Sequence, residues 1–330
     1  MADKIRWGII GTGAIARKFA EALAFVPDAE LCAVGSRTQA SADEFAARFG
    51  VPHAHPSYEA LANDPDVDVV YIATPHPLHK ENSILCLHAG KAVLCEKPFT
   101  INAREAEEVI RLAREKRLFL MEAMWSRFLP AMVEVRRLLS AGAIGEVRML
   151  TAHCGFRAPF NPQSRLFNPQ LGGGALLDVG VYPVSLASMI FGAPTRITSM
   201  AHLGETGVDE HSAFILGYGA GELAVLGTAL RLNLPAEAVL LGTEGTITIH
   251  GPWWRATALT LSVPGKEDRV IPAPLTGNGY NYEAAEVVRC LRAGRLESET
   301  MPLDETLSIM QTLDRIRAPW GLQYPAERQR

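Results

Sequence analysis

Apolar positions follow two different rhythms along this chain, and the change falls near Trp125. Before it, short apolar runs alternate with segments of helical spacing. The run 5–10 is followed by 14–25, where Ile15, Phe19, Leu23 and Val26 recur along one face. A second run at 30–35 precedes a helix predicted over 40–49 and ended by Gly50. A third run, 67–74, leads to a helix closed by Gly90. The run 92–95, a helix near 103–116 and a run at 118–121 complete the series. Strands alternating with helices of this size imply βαβ units and a parallel sheet. After Trp125 the helix predicted at 130–140 gives way to β-rich stretches at 146–155, 195–203, 211–218, 222–232, 236–241, 246–250 and 258–263. Helical spacing returns at 282–293 and 305–317. This half reads as a large, mostly antiparallel open sheet with helices on one face. The expected division is an N-terminal domain over 1–122 and a second α/β domain over 123–330.

Composition narrows the classes. With 330 residues, two domains are expected. Apolar residues make up 48 % and charged residues 21 %, as in soluble globular proteins. A net charge of −4 gives no reason to expect nucleic acid or an anionic membrane as partner. No apolar run approaches the length of a membrane span, and the N-terminus is read as passing directly into a strand without room for a signal peptide. The five cysteines (Cys32, Cys86, Cys95, Cys154, Cys290) are odd in number and include no C-x-x-C. A cytoplasmic location is therefore expected.

Gly11-Thr12-Gly13-Ala14-Ile15-Ala16 follows the first run and opens the first helix, fitting G-x-G-x-x-G/A. Such a turn lets the backbone approach a pyrophosphate at a helix N-terminus, so a dinucleotide-binding Rossmann domain is expected. The second strand ends in Gly35-Ser36-Arg37-Thr38, where NAD sites usually carry a carboxylate. An arginine with two hydroxyls suits a 2′-phosphate, so NADP(H) is preferred over NAD(H). Arg37 stacking on the adenine would serve either cofactor. The third strand ends in Thr74-Pro75-His76-Pro77-Leu78-His79; Thr74, His76 and His79 are expected to line the cofactor cleft. No metal is expected. H-E-x-x-H is absent, and His53-x-His55 has no acidic or cysteine companion at ligand spacing.

Glu96-Lys97-Pro98 ends the fourth long apolar run, placing an ammonium where a nicotinamide would lie. Leu171-Gly172-Gly173-Gly174 precedes a predicted helix on which Asp178 and Tyr182 share a face. A tyrosine beside a lysine can pass a proton to and from a carbonyl–alcohol couple. Lys97, Tyr182 and Asp178 are the candidate catalytic residues. The plainer alternative makes Asp178 a helix-surface carboxylate and Tyr182 a core aromatic.

These residues together resemble the glucose–fructose oxidoreductase/inositol dehydrogenase/rhizopine-catabolism family. The resemblance covers nearly the whole chain: the Gly11–Ala16 turn, Thr74-Pro75 with His79, Glu96-Lys97-Pro98, and Gly172-Gly173-Gly174 followed by Asp178 and Tyr182. It implies a Rossmann domain, an α/β domain with an open sheet often used for oligomerisation, a catalytic Lys97 and a cis Lys97–Pro98 bond. Tyr182, where many members have histidine, resembles the branch of dimeric dihydrodiol dehydrogenase and NADP-dependent D-xylose dehydrogenase. The same resemblance suggests Trp125, Phe156, Arg157 and Tyr280, with Asp178, as substrate contacts. Glu96, Lys97 and Arg165 join the expected cofactor contacts. The expected activity is NADP(H)-dependent interconversion of hydroxyl and carbonyl on a sugar, polyol or cyclic trans-diol, by a homodimer or higher homo-oligomer. A non-catalytic NADP(H)-sensing regulator and an NAD-dependent glycosidase are the rival readings.

Overall fold

In the structure, a computed structural model describing residues 3–328, parallel pairing organises the first sheet. Its strands are β1 (Ile5–Ile10), β2 (Ala29–Gly35), β3 (His53–His55), β4 (Val69–Ile72), β5 (Ala92–Glu96) and β6 (Leu120–Ala123). They lie in the order β3-β2-β1-β4-β5-β6, and every neighbouring pair is parallel. β4, β5 and β6 are buried along their whole length, as strands covered on both faces must be. The connecting helices are α1 (Ala14–Leu23), α2 (Gln39–Phe49), α3 (Tyr58–Ala62), α4 (His79–His88) and α5 (Ala103–Lys116). On one face Trp7, Phe19 and Tyr71 are fully buried, with Phe19 stacked on Tyr71 at 3.7 Å and tilted against Trp7 at 5.2 Å. On the other, Leu61 of α3 packs against Gly8 and Gly35, where any larger side chain would collide with it.

The expected strands and helices of this half appear with ends shifted by a few residues. β3 and α3 have no counterpart in the sequence reading. Three and five residues are too short to show a period.

The chain forms two compact units. One holds Trp125 and the described residues before it, together with Thr276–Leu307; the other holds Ser126–Leu275 and the described residues from Ser308 onward. The sequence division assigned everything after 122 to one domain. The structure returns 276–307 to the first unit because α8 (Tyr280–Arg292) packs on α1. Asn278 also donates to the Lys18 carbonyl at 2.7 Å, and Leu120 N–H donates to the Leu296 carbonyl at 3.1 Å.

The second unit is built on an eight-stranded sheet: β7 (Val147–Gly155), β8 (Arg196–Leu203), β9 (Asp209–Gly217), β10 (Leu223–Ala229), β11 (Ala238–Gly242), β12 (Thr246–Ile249), β13 (Ala258–Ser262) and β14 (Arg269–Pro272). The order is β14-β13-β12-β11-β7-β10-β9-β8, antiparallel throughout except for β7 with β10. α6 (Pro130–Ser140) precedes it and α7 (Val181–Phe191) packs on it. Met200, Ile215, Leu241 and Val270 are exposed, and the strand register puts them on one face. Contrary to the expectation from sequence, the stretch Pro169–Phe191 is long and apolar enough to cross a membrane, but most of it is buried inside the protein. It is the core helix of this unit. All five cysteines are buried, and none forms a disulfide.

The Trp7–Phe19–Tyr71 stack predicts that Phe19→Ala costs about 3–5 kcal/mol, read as an earlier urea transition. A loss below about 1 kcal/mol would show that the stack does not hold α1 to the sheet.

Candidate active site

Four strand ends of the first sheet converge on one edge. β1 runs into Gly11, whose φ of +102° suits glycine, and a Cβ there would stand 2.9 Å from the Ala73 carbonyl oxygen. Gly11 N–H donates to the Gly35 carbonyl and Ala73 N–H to that of Ile10, both at 2.9 Å. These bonds lock the ends of β1, β2 and β4 together. Apart from its chain neighbours, no described residue comes within 4 Å of where a Gly13 Cβ would stand. α1 then begins at Ala14 with no side chain capping it and no acidic residue in its first turn. Open backbone at an uncapped helix start is the cradle a pyrophosphate needs. Ala16 is fully buried, as close helix–strand packing requires. Thr12 offers its carbonyl to Arg17 at 2.9 Å. Gly11 to Ile15 therefore fit a dinucleotide.

At the end of β2, Ser36 is buried and Arg37 exposed. Ser36 N–H donates to the His55 carbonyl at 3.1 Å. Arg37 makes no ion pair among the described residues. Thr38 caps α2, its hydroxyl accepting from Ser41 N–H at 3.3 Å and donating to the Ser41 hydroxyl at 3.0 Å. Thr38, an expected cofactor contact, thus also serves as the cap of α2.

β4 leads on to Thr74 and β5 to Lys97-Pro98, and His79 ties the two segments together. Its Nδ1 lies 2.8 Å from the Pro98 carbonyl oxygen and its Nε2 2.8 Å from that of Thr74. Burial pushes the ring below the ordinary histidine range, while the two carbonyls pull the other way. His79 is thus a brace between strand ends. His76, nearly buried, stands edge-on to it at 5.7 Å. The Lys97–Pro98 peptide is cis.

Behind Lys97 lies a carboxylate cluster that sequence reasoning missed. The Tyr71 hydroxyl donates to Glu96, whose other oxygen accepts Lys97 N–H at 3.2 Å. Glu283 of α8 is fully buried, and neither oxygen has a hydrogen-bond partner among the described residues. Burial and then the Glu96 charge push its carboxyl well above the usual range. Separations of 25 and 187 residues leave no local signal for such a cluster. On the same unit, Trp125 and Tyr280 stack at 4.6 Å, forming one planar wall.

In the second unit, Gly172 to Gly174 lead into a π-helical turn, Leu176–Gly180, that continues as α7. Asp178 and Tyr182 are both buried, 3 % and 7 % exposed. Asp178 is therefore not a helix-surface carboxylate. Its Oδ1 accepts from Arg165 Nη1 at 2.6 Å. Arg165, an expected cofactor contact, pairs with this carboxylate while more than half of its side chain stays exposed. Phe156 is exposed, and Arg157 N–H donates to Asn233 Oδ1 at 2.9 Å.

Comparison with known proteins decides the family. Residues 5–124 match the description "Oxidoreductase family, NAD-binding Rossmann fold", and residues 132–248 match "GFO/IDH/MocA C-terminal domain". The chain belongs to the GFO/IDH/MocA oxidoreductase family. It is 42 % identical to trans-1,2-dihydrobenzene-1,2-diol dehydrogenase of Mus musculus, covering 98 % of this chain and 99 % of that protein. The Homo sapiens enzyme of that name is 38 % identical over the same shares. Among solved structures, an aldose-aldose oxidoreductase from Caulobacter crescentus superposes with a TM-score of 0.87 at 25 % identity, covering 99 % and 98 % of the two chains. A 3-ketoreductase from Actinomadura kijaniata, solved with NADP and TDP-benzene, gives 0.86 at 28 %, covering 96 % and 98 %. The chain is thus an NAD(P)-binding oxidoreductase, and the expected two-part α/β fold is that of the family.

In this family member the helix carrying Asp178 and Tyr182 is seated by Asp209, which the sequence reading also missed. Asp209 is fully buried at the head of β9, and its Oδ2 accepts Leu176 N–H at 2.7 Å. The Thr228 hydroxyl holds the Ala175 carbonyl at 3.1 Å. Gly174 has φ +121°, and a Cβ there would stand 2.4 Å from Asp209 Oδ1. The third glycine is therefore a seat for Asp209. A charged residue heading an alternating strand was the only visible hint. Burial pushes this carboxyl up to about 7, against the Leu176 N–H that favours its charge. Between the ordinary carboxylate value near 4 and about 7, the folded state holds a proton that the unfolded chain releases. Stability falls as pH rises through that window. Asp209→Asn should flatten this fall, by at most about 1.4 kcal/mol per pH unit, in a thermal-unfolding series. Parallel wild-type and variant curves would contradict the assignment.

Proposed function

We propose that this oxidoreductase is NADP(H)-dependent and interconverts a hydroxyl and a carbonyl on a cyclic trans-diol. The observation that carries the cofactor reading is the end of β2, where exposed Arg37 stands in place of a carboxylate. A 2′-phosphate would pair with that guanidinium. The diol reading is supported by relatives at 38–42 % identity over nearly the whole chain, all named trans-1,2-dihydrobenzene-1,2-diol dehydrogenase. A second reading takes a sugar as substrate. The aldose-aldose oxidoreductase similarity favours it, and the stacked Trp125–Tyr280 wall would suit either ring.

When bound, the nicotinamide supplies the hydride acceptor. The protein's own groups manage the proton. Tyr182 takes the proton of the substrate hydroxyl, and Lys97 polarises the oxygen as its carbon becomes a carbonyl. Asp178, fixed by Arg165, orients the reacting hydroxyl. Gly11 to Ile15 hold the pyrophosphate; Ser36 and Arg37 hold the adenosine end. The reading also includes self-association through the open face of the second sheet, where Met200, Ile215, Leu241 and Val270 lie exposed.

Arg37→Asp should raise the Michaelis constant for NADPH about 10- to 100-fold and leave that for NADH nearly unchanged. Equal effects on both would sink the 2′-phosphate assignment. With a panel of trans-dihydrodiols, pentoses and hexoses, Lys97→Met and Tyr182→Phe should each lower kcat/KM by about 10²- to 10⁴-fold. Variants as active as wild type would refute the proton roles. NADPH binding without turnover of any panel member would favour the sensor reading instead.

A further inference from the structure

At the edge of the first sheet, a second cluster of polar groups stands on β3. His53 and His55 are two residues apart and so project from the same side of the strand. The sequence offered them no acidic companion. α3 turns the chain back so that Asp64, just beyond it, comes alongside both. His53 Nδ1 is 2.7 Å and His55 Nε2 2.8 Å from the same atom, Asp64 Oδ2. The three ligand atoms lie within 4.8 Å of one another.

We propose that His53, His55 and Asp64 form a binding site for one divalent transition ion, zinc being the best match. Two imidazoles and one carboxylate are a zinc donor set that leaves a fourth position to water. The carboxylate is aimed for it: both rings meet the single atom Oδ2. Its other oxygen is fixed by Asp66 N–H at 2.8 Å, so Oδ2 keeps its aim. The His53 and His55 side chains are 38 % and 23 % exposed, leaving a path from solvent. Lys91, the nearby cation, has its ammonium on the Asp64 and Val67 carbonyls at 2.6 and 2.8 Å.

The present spacing is that of hydrogen bonds, in which each ring points an N–H at Oδ2. A tetrahedral zinc with bonds near 2.0 Å separates its ligand atoms by about 3.3 Å. Opening the cluster by roughly half an ångström therefore suffices. Each ring would then meet the ion through the nitrogen that now faces Oδ2. The location gives the ion a consequence. β3 pairs with the end of β2, and the His55 carbonyl holds Ser36 N–H next to Arg37. An ion that stiffens β3 steadies the Ser36-Arg37 turn and tightens NADP(H) binding; this coupling rests on the cofactor reading above, whereas the ion site does not.

The test uses chelator-treated full-length protein titrated with zinc chloride by calorimetry and with cobalt chloride by visible absorption. Wild type should bind one ion per chain with a micromolar constant and give a one-to-one cobalt spectrum. His53→Gln and His55→Gln, which keep a side-chain amide toward Asp64, should each weaken binding at least about tenfold while the thermal unfolding temperature stays near wild type. Absence of saturable binding by wild type, or equal binding by wild type and both variants, overturns the site. NADPH affinity measured with and without zinc reads the coupling separately: tighter binding in the loaded protein supports it, and unchanged affinity overturns the coupling alone.

Discussion

Parallel pairing of β1 with β2 and β4, and of β4 with β5, is the constraint on which the cofactor edge depends. Strands that run the same way deliver their carboxyl ends to one edge, however far apart they lie in sequence. That is why Gly11, Ser36-Arg37, Thr74 and Lys97 share an edge although 86 residues separate the first from the last. The pairing in turn requires strands buried on both faces, and the Trp7–Phe19–Tyr71 stack and Leu61 supply that cover. The backbone bonds Gly11 to Gly35, Ala73 to Ile10 and Ser36 to His55 then carry the sheet's geometry one residue beyond its strands.

Buried carboxyl groups set the candidate catalytic side chains in place. Glu96 is held by the Tyr71 hydroxyl and backs the turn that presents Lys97. Asp209 seats the start of the helix that presents Asp178 and Tyr182. Each is costly to bury and persists because a named donor meets it. Their surroundings differ: Asp209 and Glu283 are pushed toward the neutral acid, whereas Asp64 is held ionised by three donors. The same residue chemistry thus gives a helix seat, a buried acid behind the lysine and a carboxylate shared by two imidazoles.

Much of this was legible in the sequence because it is local. Apolar periodicity gave the long strands and helices, and the glycine turn, Glu96-Lys97-Pro98 and the Gly172–Gly174 run each lie within a few residues. The unread parts are non-local or short. Asp64 meets His53 and His55 only because α3 reverses the chain, and Glu283 meets Glu96 only because α8 returns to the first unit. Thr38 also caps α2 and Arg165 also partners Asp178, roles set by neighbouring groups rather than by any motif.

The central claim is direct hydride transfer from the carbinol carbon of a cyclic diol to the nicotinamide of NADP⁺. The decisive measurement is NMR of the reduced cofactor after turnover of trans-1,2-dihydrobenzene-1,2-diol deuterated at both carbinol carbons. The account predicts one deuteron per turnover at C4 of NADPH, on a single face of the ring. NADPH whose C4 carries hydrogen from solvent, or label lost to water without reduction of the cofactor, would contradict it.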